Sequence, residues 1–271
     1  MPSPEVSIIL PTLNEEEFIE EAIDSLLAQT FEDFEVLIID GGSSDGTIGK
    51  INEYSDERID LFIKQGLGFS SSLNFAIDRA KGKYIARVDS DDFSMEDRIE
   101  KQVDFLNKNP DVGVVGVGNK SIDTIREEEY DRYYPTEDLQ IRKEMAKGIP
   151  LIHSGVMARR EILITSGLYD GTINDIEDLE LWTRVGQHTK FANINEILVE
   201  RKIRPDSTWH SKYGLWRRNL TLIWFNIKAV RSFSLPTRYY VFPLLRLFYI
   251  LLPPAIKKQV RKVFSRFRED Y

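Results

Sequence analysis

The chain carries at residues 6–40 the stretch VSIILPTLNEEEFIEEAIDSLLAQTFEDFEVLIID. It begins with a short apolar run at residues 6–10 and ends with another at residues 34–39, a pattern typical of buried strands. Between these runs, residues 16–29 place apolar side chains three and four positions apart, which predicts an amphipathic helix. The stretch therefore predicts a β-α-β unit with two parallel strands.

The same alternation continues downstream. Further helical patterns lie at residues 47–54, 70–80 and 95–107, and further apolar runs lie at residues 59–63, 84–88 and 112–117. Repeated alternation predicts an α/β fold with a mostly parallel central sheet flanked by helices. Ligands of such sheets bind beyond the carboxyl ends of the strands, so the residues that follow each strand are the first candidates for a functional site.

The alternation becomes less regular after residue 118, and mixed short elements lead to about residue 203. Beyond Pro205 the sequence is aromatic and basic. We therefore expect a main domain at residues 1–205 and an amphipathic helical tail at residues 206–271.

Composition limits the kinds of site that the chain can contain. It has no cysteine, which excludes disulfides, thiolate metal sites and cysteine nucleophiles. Only three histidines are present, so a bound metal should be a hard cation held by carboxylates rather than zinc in a histidine-rich site.

Charge divides the chain in two. Residues 1–200 carry 20 basic and 41 acidic side chains, a net charge of −21, whereas residues 201–271 carry 16 basic and 3 acidic side chains, a net charge of +13. The basic tail suits an anionic partner, and the acidic main domain argues against nucleic acid. Residues 1–4 lead directly into a strand without a basic segment, so we expect no signal peptide and a cytoplasmic location.

A polar loop with Pro11, Thr12, Asn14 and Glu15 follows the first strand and opens a helix. The free N–H groups and the dipole of such a helix suit an anionic or nucleotide ligand, and a simple helix cap is the alternative. No G-x-G-x-x-G pattern follows this strand, which argues against a dinucleotide cofactor.

A second polar loop, Asp40-Gly41-Gly42-Ser43, follows the second strand. Its two glycines permit a tight turn, and Asp40 could accept the imide N–H of a uracil-like base.

A third polar loop, Asp89-Ser90-Asp91-Asp92, places three carboxylates within four residues directly after residues 84–88. Such crowding is unfavourable unless a cation neutralises it, and Asp89 and Asp91 lie on the same side of an extended segment. We expect Mn²⁺ or Mg²⁺ there, bound also by diphosphate oxygens. The alternative is an acidic loop that caps the helix beginning near Ser94.

Two further acids, Glu177 and Asp178, open an amphipathic helix whose apolar face includes Leu179, Trp182 and Val185. A carboxylate there could take a proton from a hydroxyl group as a general base. The alternative is that both acids only complement the helix dipole.

The chain resembles the family 2 glycosyltransferases of GT-A fold, a Rossmann-like architecture, in four segments that follow the family's order. They are SIILPTLNE at residues 7–15, DGGSSDGT at 40–47, AKGKYIARVDSDD at 80–92 and EDLELW at 177–182. The resemblance covers residues 5 to about 207 and implies an inverting transferase. Its donor would be a nucleotide sugar, with UDP-sugars favoured, and its acceptor a hydroxyl group of a lipid-linked or cell-surface saccharide.

The resemblance also implies roles for individual parts of the chain. Within residues 1–205 we expect a nucleotide half at about 1–118 and an acceptor half at about 119–205. The residues expected beside the nucleotide sugar are Pro11, Thr12, Asn14, Glu15, Asp40, Gly42, Ser43, Asp89, Ser90 and Arg204. Asp91, with Asp89, would bind the metal. Asp178 would be the general base, with Glu177 the second candidate. The residues expected to line the active site on the acceptor side are His153, Ser154 and Trp182, although His153 could equally be a buried structural residue.

The chain departs from the family pattern at two positions. Gly41 stands where relatives often have a second aspartate, which removes one nucleotide contact. Arg204 stands where many relatives have histidine, and an arginine cannot ligate a metal but can pair with a diphosphate as a permanent cation. We therefore expect the metal to depend chiefly on Asp91 and water.

Two other functions remain open from the sequence. A nucleotidyltransferase that makes sugar nucleotides also uses acidic metal ligands, but it usually has a glycine-rich phosphate loop where residues 11–15 here are PTLNE. A catalytically inactive, membrane-bound scaffold that only binds the nucleotide sugar is supported by Gly41 and Arg204. The retained Asp91 and Asp178 oppose it.

The tail contains an apolar segment at residues 239–252 that includes Pro243 and Arg246. It is too short to span a membrane, which needs about 20 apolar residues. Basic residues at 257–268 follow it, so we expect a peripheral anchor on the inner, anionic face of the cell membrane. The alternative is a helix packed on the main domain or on a partner subunit. If the tail is a membrane anchor, a chain that lacks it and ends at about Pro205 should stay soluble and keep its nucleotide pocket.

Overall fold

The computed structural model describes residues 3–173, 176–204, 215–253 and 256, and in the third range it describes side chains from residue 218 onward. The strands are β1 (Val6–Thr12), β2 (Phe34–Asp40), β3 (Ile59–Ile63), β4 (Tyr84–Arg87), β5 (Asp92–Ser94), β6 (Val112–Asp123), β7 (Glu128–Arg132), β8 (Met157–Arg159) and β9 (Lys190–Ile203). The helices are α1 (Ile19–Leu27), α2 (Thr47–Ile51), α3 (Phe69–Arg79), α4 (Arg98–Lys108), α5 (Asp138–Met145), α6 (Arg160–Thr165), α7 (Glu177–Val185), α8 (Leu215–Ser232) and α9 (Val241–Leu251). Short 3-10 turns lie at His153–Gly155 and Thr237–Tyr240.

These strands form one sheet in the order β3-β2-β1-β4-β8-β6-β9-β5, and β7 pairs with β6. The neighbours β3, β2, β1 and β4 are parallel, as are β6 and β9. The pairs β4–β8, β8–β6, β5–β9 and β7–β6 are antiparallel. The predicted α/β fold is confirmed, and the loops that follow β1, β2 and β4 lie at one edge of its parallel part.

Alternating side chains of the central strands fill two cores, one on each face of the sheet. On β1, Ile8 and Leu10 pack with α1 and α4, whereas Ile9 packs on the other face with α3 and α7. All three are buried, because helices cover both faces. The ends of the strands are then the part of the sheet that a ligand can reach.

The strands and helices predicted up to residue 117 are all present, with ends that differ by a few residues. Strand β1 continues to Thr12, and α1 begins at Ile19 rather than at residue 16. The largest difference is β6, which pairs with β9 from Val112 to Asp123. Residue 118 therefore lies inside a strand, and the two expected halves share one sheet.

Helix α8 packs against the main domain. Phe225 and Ala229 are buried in the same core as α7, and Asn226 donates a hydrogen bond of 2.6 Å to the carbonyl oxygen of Met145. Lys228 pairs with Glu180 of α7, its Nζ lying 2.9 Å from Oε1. The solubility of a chain ending at about Pro205 stays a prediction, and the packing of α8 counts against it, because loss of α8 would expose these apolar side chains.

Helix α9 turns an apolar face to solvent. Its exposed side chains are Val241, Leu244, Leu245, Leu247, Phe248 and Leu251. Its one charged residue, Arg246, donates a hydrogen bond of 2.8 Å to the carbonyl oxygen of Lys147. No helix in the described ranges is long and apolar enough to cross a membrane. The expected boundary near Pro205 and the basic residues at 257–268 lie outside the described residues.

Candidate active site

The loops after β1 and β2 are joined by hydrogen bonds. The N–H of Asn14 donates to Ser43 Oγ, and the N–H of Ser44 donates to Asn14 Oδ1, both at 2.8 Å. The N–H of Glu15 donates to Thr47 Oγ1 at 2.9 Å. Asn14 has a φ of 54°, a left-handed conformation that asparagine tolerates better than most residues. The two loops predicted to hold the nucleotide thus lie side by side.

Asp40 organises the second of these loops. Its Oδ1 accepts the N–H groups of Gly42 and Ser43, both at 2.8 Å, and its Oδ2 accepts the hydroxyl of Ser43 at 2.5 Å. Gly42 has a φ of 97°, and a Cβ there would lie 2.8 Å from Gln65 Cγ, so this turn requires glycine. The carboxylate of Asp40 is buried under its own loop, so a contact with a base requires the loop to shift.

Pro11 and Thr12 form the buried end of β1. The Thr12 hydroxyl has no hydrogen-bond partner among the described residues, although its side chain is buried. A buried hydroxyl without a partner costs free energy unless a water or a ligand satisfies it. Thr12 is therefore well placed for the nucleoside contact predicted from the sequence.

Arg87, at the end of β4, fixes Asp89. Two guanidinium nitrogens bind the carboxylate, and Nη1 lies 2.7 Å from Asp89 Oδ2. The arginine is buried and lies 5.4 Å from the centre of the Phe69 ring. Ser90, the next residue of the acidic loop, is also buried. Because the pair is bidentate, Asp89 is held in one orientation.

Asp91 is paired with Arg204, the second departure from the family pattern. Nη2 of Arg204 lies 2.9 Å from Asp91 Oδ2 and 2.9 Å from Glu15 Oε2. Burial and the charge of Asp89 raise the pKa of Asp91, whereas the charge of Arg204 lowers it. The arginine joins the loop after β1 to the acidic loop after β4.

Asp92 begins β5 and is buried. Burial raises its pKa to about 8, with further contributions from the charges of Asp89 and Asp91. Behind the acidic loop, fully buried Arg98 donates a hydrogen bond of 2.8 Å to the carbonyl oxygen of Arg87. This contact fixes the backbone from which Asp89 projects.

The predicted metal ligands do not form a complete site on their own. Asp89 pairs with Arg87 and Asp91 pairs with Arg204. Across the part of the chain that the structure describes, no three His, Asp or Glu side chains are grouped so that they could hold an ion. That Asp91 and Asp89 hold the cation stays a prediction, and an ion bound there would share both carboxylates with arginines and take its other ligands from elsewhere.

Helix α7 carries the predicted base. Ile176, the residue before it, has a φ of 64°, and Glu177 and Asp178 form its first turn. Asp178 is buried, and its Oδ1 accepts the N–H of Leu179 at 2.7 Å. Burial raises the pKa of Asp178 to about 6, which suits removal of a proton near neutral pH.

His153, on the 3-10 turn before β8, lies between Tyr169 and Glu177. Its Nε2 lies 2.8 Å from the Tyr169 hydroxyl, and its Nδ1 lies 3.7 Å from Glu177 Oε1. Burial, followed by the charge of Arg87, lowers its pKa well below the usual range, so the ring is neutral. His153 therefore positions its neighbours rather than carrying charge.

Ser154 and Trp182, expected to line the acceptor side, are buried. The Trp182 ring packs edge-on against His153 and Phe191, with centroid distances of 6.3 and 6.5 Å. Both residues thus support the site from within the core, and a direct contact of either with an acceptor stays a prediction.

Arg201 lies on β9, beside the first residue of β5. It stands opposite Asp92 in the pairing of β5 with β9. Burial raises the pKa values of Asp91, Asp92 and Asp178, and the charge of Arg201 lowers all three. The charge of one guanidinium therefore favours the ionised form of the acidic loop and of the predicted base alike.

Three residues of this site were not expected from the sequence: Arg87, Tyr169 and Arg201. Arg87 did carry a signal, because a charged residue within the apolar run 84–88 is unfavourable to bury unless it has a partner. Tyr169 and Arg201 lie where the sequence has no regular pattern, and no signal marked them.

Comparisons with known proteins identify the family to which the chain belongs. The family model for glycosyl transferase family 2 matches residues 7–167. "Putative glycosyltransferase EpsE" of Bacillus subtilis (strain 168) is 31% identical over 96% of this chain and 94% of its own length. The O-antigen biosynthesis glycosyltransferase WbnJ of Escherichia coli is 30% identical over 76% of this chain and 82% of its own length.

Solved structures share the fold. The crystal structure of S. aureus TarS 1-349 in complex with UDP-GlcNAc has a TM-score of 0.72 and 17% identity, covering 94% of this chain and 78% of that chain. The mannosyltransferase PcManGT from Pyrobaculum calidifontis, in complex with GDP-Man and Mn²⁺, has a TM-score of 0.61 and 17% identity, covering 97% and 85%. The fold is thus of the GT-A type, and the family match over residues 7–167 shows that this chain is a glycosyltransferase belonging to glycosyl transferase family 2.

Proposed function

We propose that the protein is an inverting glycosyltransferase that moves a sugar from a nucleotide sugar, preferably a UDP-sugar, to a hydroxyl group of a saccharide. The observation that carries this proposal is the buried Asp178 in the first turn of α7, where its neighbour Glu177 lies 3.7 Å from His153 on the turn before β8, the strand that pairs with β4. A base beside the loops that follow parallel strands fits proton removal next to a bound diphosphate. The complex of TarS with UDP-GlcNAc supports UDP as the nucleotide.

In the proposed reaction the acceptor oxygen attacks the anomeric carbon from the face opposite the diphosphate. The new C–O bond forms as the bond between the anomeric carbon and the diphosphate oxygen breaks. Asp178 takes the acceptor proton, and a single displacement inverts the configuration. The chain contributes alignment of the two substrates and positive charge beside the leaving group.

We assign donor binding to the three loops after β1, β2 and β4. Thr12, with its unsatisfied buried hydroxyl, would contact the nucleoside together with the joined loops around Asn14. Asp89, oriented by Arg87, would contact the ribose. Arg204 would lie beside the diphosphate.

We propose Mn²⁺ or Mg²⁺ as the cofactor of this reaction. The structure of PcManGT in complex with GDP-Man and Mn²⁺ supports a divalent ion. In this chain such an ion would enter with the donor, share Asp91 with Arg204, and take its other ligands from the diphosphate and water. Its contribution would be additional neutralisation of the leaving group.

We further propose that the protein acts at the inner face of the cell membrane on a lipid-linked saccharide. The exposed apolar face of α9 and the net charge of +13 over residues 201–271 support attachment to an anionic membrane surface. The likeness to WbnJ, an O-antigen biosynthesis glycosyltransferase, supports a saccharide acceptor.

The first test measures nucleoside diphosphate released from a panel of UDP-, GDP- and dTDP-sugars, with and without saccharide acceptors. Release from one donor that rises with an acceptor, and a product with inverted anomeric configuration by NMR, are the expected results. A nucleotidyltransferase would instead release pyrophosphate from a nucleoside triphosphate and a sugar phosphate. An inactive scaffold would bind a donor in calorimetry and release nothing, which would contradict the proposed reaction.

A further inference from the structure

Arg204 follows the last residue of β9 and binds two carboxylates from different loops. Its Nη2 lies 2.9 Å from Glu15 Oε2, in the loop after β1, and 2.9 Å from Asp91 Oδ2, in the acidic loop. All three side chains are mostly buried. One cation therefore bridges two of the loops to which donor binding is assigned.

The guanidinium is held from a second direction as well. Its Cζ lies 4.1 Å from the centre of the Phe18 ring, within the range of a cation–π contact. Phe18 is the residue immediately before α1, so its ring lies between the loop after β1 and that helix. A planar cation fixed by two carboxylates and an aromatic face is in position before a ligand arrives.

The diphosphate of a nucleotide sugar bound between these loops would need positive charge at the position of Arg204. A diphosphate that approaches Asp91 and Glu15 is repelled by both carboxylates unless a cation offsets them. A guanidinium carries five N–H donors in a planar fork, so it can bind carboxylate and phosphate oxygens together. Its charge is permanent, whereas a metal ion would have to compete with it for Asp91.

We propose that Arg204 supplies positive charge for the diphosphate of the donor, so that donor binding does not require a divalent cation, which adds to the neutralisation when it is present. This inference rests on the proposed function, because the diphosphate is that of the nucleotide sugar. As the bond between the anomeric carbon and the diphosphate oxygen breaks, its electron pair stays on that oxygen, and the guanidinium stabilises the new charge. The acceptor proton goes to Asp178.

Calorimetric titration of the full-length protein with UDP tests this inference without relying on turnover. One titration contains EDTA and the other contains Mn²⁺, and we expect Kd values that agree within about threefold. GDP is titrated in parallel, so that a different base preference is not mistaken for a lack of binding.

Substitutions at Arg204 sharpen the test. Arg204→Ala should weaken binding of UDP in EDTA by about tenfold or more, because Glu15 and Asp91 would then face the diphosphate without the cation that pairs with both. Arg204→Lys should restore part of this loss, since it keeps the charge but not the fork. Arg204→His should make binding depend on Mn²⁺, because an imidazole can ligate the ion.

Lys190→Ala is the matched control. It removes one positive charge at the opposite end of β9, where Lys190 Nζ lies 2.6 Å from Asp111 Oδ2. Both Kd values should stay unchanged in this variant. Thermal melting followed by circular dichroism separates a lost contact from a lost fold in every variant.

Either of two results would overturn the inference: binding of UDP by the unmodified protein only in the presence of Mn²⁺, or equal affinity of Arg204→Ala and the unmodified protein in EDTA. A failure of both UDP and GDP to bind under either condition would instead contradict the proposed donor class.

Discussion

Two acids open helix α7, and their surroundings separate their roles. Asp178 is buried, and burial raises its pKa to about 6. Glu177 lies 3.7 Å from Nδ1 of the neutral His153. A general base must be ionised in the free enzyme and still bind a proton strongly enough to remove it from a hydroxyl group. Asp178 meets both conditions at neutral pH.

Replacement of Asp178 by asparagine should lower kcat by about a hundredfold or more and leave the Kd of UDP nearly unchanged, because an amide cannot take the acceptor proton. In the unmodified enzyme, kcat/KM should fall about tenfold per pH unit below pH 6, as Asp178 becomes protonated. Steady-state rates over a pH series measure both effects. Glu177→Gln is the control and should change kcat by only a few-fold; if it is the inactive variant and Asp178→Asn is active, Glu177 is the base.

Asp178→Asn should also change the stability of the fold. This change is an increase, whereas turnover decreases, so it shows that the variant folds. The folded protein holds the Asp178 proton up to about pH 6, whereas the unfolded chain loses it near 3.8. The stability that this proton provides is therefore present below 3.8 and is lost as pH rises through 6. Asparagine does not ionise, so Asp178→Asn should be more stable than the unmodified protein above pH 6, and the difference should vanish in acid.

Individual residues of the site show how much of it can be predicted from the sequence alone. The order of the motifs, through the resemblance to the family, predicted that Asp91 and Asp178 would share one site. It did not predict which arginine pairs with Asp91, since Arg204 is 113 residues away and reaches it only after β9 crosses the sheet. Contacts between segments far apart in the chain depend on which strands become neighbours in the sheet, and the periodicity of each segment does not give that order.

At the scale of elements, α1 and α8 illustrate the same limit. Helix α1 connects two parallel strands, so its apolar face can only cover the sheet, and the prediction is confirmed. Helix α8 has no such constraint, and its aromatic and basic composition favoured a membrane partner. The structure instead buries Phe225, Ala229 and Val230 against the domain. Periodicity reveals an apolar face but not what covers it.

The docking of α8 predicts unequal effects at two adjacent aromatic residues. Phe225 is 2% exposed in the core, whereas Trp224 is 59% exposed. Phe225→Ala should lower the free energy of unfolding by about 3–5 kcal/mol, the usual cost of such a core truncation. Trp224→Ala should change it by less than about 0.5 kcal/mol. Urea unfolding of both variants measures the difference, and equal losses would mean that α8 is not part of the core.

At the scale of the whole molecule, apolar surface and positive charge occur in the same part of the chain. Helix α9 exposes six apolar side chains, and its one charged residue, Arg246, binds the carbonyl oxygen of Lys147 instead of facing solvent. Residues 201–271 carry 16 basic and 3 acidic side chains. A face without charge, within a basic segment, fits the interface of an anionic bilayer better than it fits water.

Cosedimentation of the full-length protein with liposomes tests this surface. Binding should be stronger to vesicles with anionic lipid than to neutral ones, because each Lys or Arg near the surface contributes on the order of 1 kcal/mol. It should weaken as salt rises, leaving an apolar part of the binding that depends on α9.

Leu245→Asp, at a side chain 57% exposed on α9, should remove most of this apolar part of the binding. Ile164→Asp, at a side chain 47% exposed on α6, is the matched control and should bind as the unmodified protein does. Binding that is indifferent to lipid charge and to Leu245→Asp would mean that the face of α9 is covered by something other than a membrane.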